Sequence, residues 1–239
     1  MTPFAEATAL ARLMRDDSAF FARYQPVVDL TSGAVRGHAS SLHGRTEHGE
    51  LAPLDLFFSM PDDATTARLD RLGRTVAIRD AAGWLGPDLL FVRLLAEVLA
   101  EPTAALEGMT EAAKTAGVEL SQVVVEVQLE NGRYVLGQLA RAVTRCRGVG
   151  MSVAVAYAED AEDIRGTISM LAPDYIKLER SLVYADGVAV TTVVEAAHGI
   201  GAKVVAFGIE TPGQAKAARD RGADWGQGWY LGRPTVPGG

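Results

Sequence analysis

Sulfur is nearly absent from this sequence: Cys146 is the one cysteine among 239 residues. One thiol cannot close an internal disulfide, and thiolate metal clusters need several sulfurs. Positive charge is also in deficit, with 23 basic against 30 acidic side chains and a formal net charge of −7. That balance argues against a non-specific binder of nucleic acid or of an anionic membrane. No apolar run approaches the roughly 18–20 residues of a membrane span. The N-terminus lacks the basic stretch and continuous apolar core of a signal peptide. These absences predict a cytoplasmic protein with no nucleic-acid and no membrane partner. Walker, nucleophile-elbow and HExxH motifs are missing as well. Gly199-Ile200-Gly201 follows a helical pattern and precedes a strand pattern, the reverse of the order a dinucleotide loop requires.

What is present is ample core material. Hydrophobic residues make up 48% of the chain and charged ones only 22%, so it folds rather than staying disordered. Residues 4–14 mix Glu6 and Arg12 with Leu10 and Leu13, which predicts an amphipathic helical extension over residues 1–20. No Pro/Gly/Ser-rich linker divides the remainder, so 21–239 reads as one domain.

Within it, short β-rich runs alternate with longer helical patterns. Strands are expected at 26–30, 34–40, 89–94, 123–127, 152–156, 175–178, 203–208 and 225–231. Thr31-Ser32-Gly33 between the first two reads as a hairpin turn. Helices are expected at 63–84, 103–116, 134–147, 160–171, 181–200 and 213–221, with Gly117, Gly148, Gly201 and Gly222 as their C-terminal stops. Eight strands with intervening helices predict an α/β protein, a (β/α)8 TIM-like barrel, against a doubly wound open sheet as the competitor. The hairpin puts one antiparallel strand at the start. His38 and His43, five residues apart, would face opposite sides of a strand, which favours surface or packing roles over a shared metal.

Five segments, in order, follow a known pattern. Residues 24–30, YQPVVDL, are similar to "YQPIVDL". Leu69-Asp70-Arg71 is similar to "LDR", and 171–183 to "LPVDILKIDRSFV". Residues 203–211, KVVAFGIET, resemble "KVVAEGVET", and 227–234, QGWYLGRP, resemble "QGYLFGRP". Together they resemble the EAL domain, the bacterial cyclic di-GMP phosphodiesterase module. The resemblance implies the barrel with an antiparallel first strand, and a reaction in which metal-bound water cleaves a phosphodiester. That chemistry needs carboxylates gathered at the C-terminal mouth of the barrel.

Those carboxylates are where the resemblance fails. The signature Glu-Ala-Leu falls on Ala39-Ser40-Ser41, the phosphate-contacting Arg on His43, and the metal-binding Asn on Arg93. Glu126 is kept, but the later Glu of the same motif is Leu129. The paired aspartates fall on Ala156-Tyr157, the Glu of "AEG" on Phe207, and the Asp of "KID" on Glu179. A hard divalent cation takes about six oxygen ligands. The sequence therefore predicts no metal, no cofactor and no enzyme.

Candidate ligand-binding residues carried over from the family are Gln25, Glu126, Lys177, Glu210, Gln227 and Pro234. Gln25 and Gln227 match nucleotide-contacting positions, or else satisfy backbone groups at the barrel end. Lys177 contacts a phosphate or pairs with Glu126 or Glu210. Arg93 is a phosphate contact, a structural plug paired with Glu126, or an exposed arginine at the rim. Trp225, Trp229 and Phe207 stack on a guanine or pack. The expected function is a catalytically inactive EAL-like regulatory domain acting through a protein partner in bacterial signalling. The alternative is a metal-independent receptor for cyclic di-GMP or a related nucleotide. The replaced loop after residue 157 gives no basis for family-style dimerisation, and the oligomeric state stays open.

Overall fold

The structure is a computed structural model that describes residues 13–47, 49–58, 62–94, 102–129, 136–157, 164–180 and 188–237. Nine strands are described: β1 (Phe20–Asp29), β2 (Val35–Thr46), β3 (Gly49–Leu51), β4 (Leu89–Leu94), β5 (Val123–Leu129), β6 (Ser152–Tyr157), β7 (Tyr175–Leu178), β8 (Lys203–Phe207) and β9 (Trp225–Gln227). The helices are α1 (Pro53–Phe58), α2 (Asp63–Ala81), α3 (Pro102–Ala116), α4 (Leu136–Gly148), α5 (Ile164–Leu171), α6 (Val188–Gly199) and α7 (Pro212–Asp220).

Eight strands close on themselves in the order β1-β9-β8-β7-β6-β5-β4-β2, and β1 pairs with β2 to complete the ring. From β2 round to β9 every pairing is parallel. Only β1 runs against its two neighbours. This is the expected (β/α)8-type barrel with an antiparallel first strand. β3 lies outside the ring, paired to the end of β2.

The strands bury both faces, which explains their nearly continuous apolar sequences. Outward-facing Leu90, Val92, Val123, Val125, Val153, Val155, Ile176 and Val204 join the core beneath the helices. Inward-facing Val27, Ala39, Phe91, Val124, Ala154 and Val205 form a second, smaller core inside the barrel. Phe91, Tyr175 and Trp225 make ring contacts across its base, with centroids 5.4 and 5.3 Å apart. Trp225 is thus a packing residue. On the outside, Tyr24 donates its hydroxyl to the Ala77 carbonyl at 2.7 Å, tying α2 to β1.

The opening hairpin is longer than the sequence suggests. β1 begins at Phe20, not residue 26, and β2 runs on to Thr46, not residue 40. The reason is a disguised alternation: Phe20, Ala22 and Tyr24 face the helices while Phe21, Arg23 and Gln25 face inward. β9 is shorter than expected because Gly228, at φ +159, lies against the Ile209 backbone, where a Cβ would come within 2.1 Å of a carbonyl oxygen. After α4 the left-handed residue is Gly150, at φ +93, rather than Gly148. Residues 1–12 of the expected extension, and the starts of the predicted helices at 134, 160 and 181, lie outside the described residues. Leu13 and Met14 are buried in the main core.

Candidate functional site at the barrel mouth

Period-two alternation places the candidates. One step above the inner apolar core, the same strands present Gln25, Arg93, Glu126, Ala156, Lys177, Phe207 and Gln227. Lys177 Nζ lies 2.7 Å from Glu126 Oε2, and the two side chains are 10% and 16% exposed. They reach each other across β6, where Ala154 and Ala156 carry no bulk to separate them. Lys177 Nζ also sits 4.8 Å from the centre of the Phe207 ring, a cation–π distance. Of the alternatives for Lys177, pairing with Glu126 is realised.

Gln227 Nε2 donates to Gln25 Oε1 at 2.8 Å, and Gln25 Nε2 donates to the Gly232 carbonyl at 2.9 Å. Gln227 Oε1 is buried without a partner. Pro234 lies in the segment that returns to β1, where Thr235 and Tyr24 exchange backbone hydrogen bonds of 2.8 and 3.0 Å.

Two candidates lie exposed. Arg93 and Glu126 are register partners on β4 and β5, yet they are not joined, so the exposed rim arginine, not the plug, is the arrangement present. Arg93 is exposed and donates to Gln128 Oε1 at 2.7 Å, and Gln128 in turn donates to Glu179 Oε1 at 3.3 Å. Glu126 is already held by Lys177, and the longer guanidinium reaches up to the next inward residue of β5. Glu210 does not meet Lys177, whose partner is Glu126. Glu210 is about half exposed and pairs with Arg180 at 2.8 Å.

His38 and His43 do face opposite sides of β2. His38 faces Asp88, 3.1 Å away, and the Trp84 ring. His43 turns inward and is 8% exposed, so it is no surface residue. Trp229 does not pack into the core: it is 62% exposed at the rim, with Arg233 over its ring at 4.9 Å. Exposure of that kind has no signature in a single sequence.

The mouth can be tested against the metals that the resemblance implies. This layer offers one carboxylate, Glu126, and an amine holds it. Among the described residues no three His, Cys, Asp or Glu side chains converge. The side chains present here do not fit a hard divalent cation with about six oxygen ligands.

The profile of the EAL domain matches residues 7–234. This chain belongs to the EAL domain family. A cyclic di-GMP phosphodiesterase of Pseudomonas aeruginosa is 28% identical over 250 residues, covering 98% of this chain and 41% of that protein. An uncharacterized protein of Azorhizobium caulinodans is also 28% identical, over 95% of this chain and 32% of its own length. The chain thus spans about a third to two fifths of these curated relatives. Among solved structures, the PaMucR phosphodiesterase in complex with c-di-GMP superposes with a TM-score of 0.82 at 18% identity, covering 98% of both chains. The Bacillus subtilis YkuI protein, with an EAL domain, in complex with c-di-GMP and calcium, gives 0.82 at 18% identity over 95% of this chain and 58% of that one. These likenesses establish the fold.

Family membership corrects one expectation. The missing ligands predict that the chain is no enzyme. It aligns over nearly its whole length with a protein named as a phosphodiesterase, so that exclusion does not stand. The substitutions describe one ligand set at one mouth. Among the described residues no helix is long and apolar enough to cross a membrane.

Proposed function

We propose that this EAL-family chain serves cyclic di-GMP signalling as a regulatory domain that acts on a protein partner. The observation that carries this reading is the 2.7 Å Lys177–Glu126 pair. A phosphate entering the mouth would have to break that pair and strand a mostly buried carboxylate, a cost of several kcal/mol. Around the mouth, Trp229 and Tyr230 are 62% and 48% exposed, and exposed aromatics are the side chains that anchor protein contacts.

A second reading has its own support. Gln227 Oε1 is buried and unpartnered and could accept a hydrogen bond from a guanine N–H, with Phe207 and Lys177 beside it. This favours a metal-independent receptor for cyclic di-GMP or a related nucleotide.

Calorimetric titration with cyclic di-GMP, with and without Mg²⁺, separates the two. The partner reading expects no binding at millimolar nucleotide. Micromolar binding without metal would favour the receptor. Linear dinucleotide formed above a blank would replace both with hydrolysis.

A further inference from the structure

The inner face of the opening hairpin carries a polar cluster that none of the above uses. Ser41 and His43 are two residues apart on β2, so both point inward, directly above Ala39. Ser41 Oγ lies 3.1 Å from His43 Nε2, within the reach required of a nucleophile and its base. On the other side of the ring, His43 Nδ1 lies 2.6 Å from Glu50 Oε1. Glu50 is delivered by β3, which folds back on β2 with Arg45 opposite Glu50. Its carboxylate is held by Arg23, which donates from Nε to Oε1 at 2.8 Å and from Nη2 to Oε2 at 2.7 Å. Arg23 is itself the β1 partner of Ser41.

The arrangement is directional. An ionised Glu50 can only accept, which puts the ring proton on Nδ1 and leaves Nε2 as an acceptor for the Ser41 hydroxyl, which also lies within 3.4 Å of the Arg23 carbonyl. Burial, the largest influence on His43, holds it below the ordinary histidine value, which keeps that lone pair free at neutral pH. The Arg23 hydrogen bond lowers Glu50 and keeps it ionised. The Phe21 ring, 5.7 Å from the imidazole, walls off one side. The Nδ1–Glu50 contact is short but off the line of the ring N–H, a looseness common in unliganded catalytic groups. Ser41 remains half-buried rather than sealed.

We propose that Ser41, His43 and Glu50 form a nucleophilic triad at the barrel mouth that cleaves carboxylic esters. Ser41 Oγ attacks the acyl carbon as its proton passes to His43 Nε2. The bond from that carbon to the leaving oxygen then breaks, and Nε2 returns the proton to the departing alcohol. Water, deprotonated by the same nitrogen, attacks the acyl-Ser41 ester, and its proton restores the serine hydroxyl. The sum is ester plus water giving acid plus alcohol. Ser41 and His43 are the catalytic residues, and Glu50 is a positioning residue. The inference does not rest on nucleotide binding.

A fluorophosphonate probe tests it on the full chain, with the modified peptide located by mass spectrometry. Labelling of Ser41 is expected, abolished in Ser41→Ala and slowed at least about 100-fold in His43→Gln. Glu50→Gln should slow it too, and Glu50→Asp should recover part of the rate, which a merely structural carboxylate would not do. Hydrolysis of p-nitrophenyl acetate should fall in the same order. A folded wild-type chain left unlabelled at Ser41 overturns the proposal, as does labelling that survives His43→Gln. If His43→Gln fails to fold, wild-type chain with and without urea decides. Ser41 labelled only when folded supports the triad, and equal labelling in both states overturns it.

Discussion

The inner apolar core and the mouth of this barrel are built by the same strands, two residues apart, yet they obey different rules. In the lower layer Val27, Phe91, Val124 and Val205 are at most 3% exposed and fill the barrel by packing alone. One step up, Gln25, Glu126, Lys177 and Gln227 are also largely enclosed, but each is held by a polar partner. Apolar packing tolerates small errors of geometry. A buried polar layer does not, because removing one partner leaves the other desolvated and unpaired. The lesson is that the alternation which builds the core also delivers the functional layer, and side-chain chemistry alone separates them.

Either layer can be disrupted by substitution. Phe91→Ala should cost the most, about 3–5 kcal/mol, because it empties the base of the inner core. Urea denaturation measures it, and a loss below about 1 kcal/mol would mean that the lower layer is not packed as described. Glu126→Ala comes next, at about 2–3 kcal/mol given partial exposure of the pair. Replacing both partners by Leu and Met should recover most of that loss, which thermal melts of the three variants would reveal. Arg93→Ala should change stability by no more than about 0.5 kcal/mol, since its side chain is exposed at the rim. A larger loss would restore the plug that the sequence suggested.

A further effect is confined to acid pH, at the turn of the opening hairpin. Hydrogen bonds from the Ser32 and Thr31 backbone N–H groups to Asp29, with the Ser32 one the largest cause, lower its carboxyl from 3.8 to about 2. A depressed carboxylate stabilises the fold above its unfolded value and loses that contribution as pH falls through the folded one. Asp29→Asn should therefore flatten the stability profile between about pH 4 and pH 2 while leaving the slope above pH 5 unchanged. Denaturation midpoints across that range would check it.

Much of this fold was legible in the sequence because buried parallel strands write themselves as apolar runs. β4 and β7 carry the expected bounds, and Thr31-Ser32-Gly33 does turn the hairpin. The ends of β1 and β2 were hidden because Arg23, Ser41 and His43 interrupt the apolar pattern while still alternating. Those interruptions form the cluster with Glu50, which no local spacing could reveal, since β3 brings Glu50 back by tertiary folding. At the mouth, the structure brings Gln25, Glu126, Lys177 and Gln227 into one inward layer. Partner choice was not legible. Arg93 faces Glu126 in register yet bonds Gln128, because Lys177 reaches Glu126 from two strands away across the alanines of β6.

The Lys177–Glu126 pair joins β7 to β5 across the mouth. A double-mutant cycle in urea, using Lys177→Met, Glu126→Gln and the double variant, measures that bond directly. A coupling of about 1 kcal/mol or more is expected, within the range for residues in direct contact. Additive losses, with coupling below about 0.3 kcal/mol, would contradict the pairing.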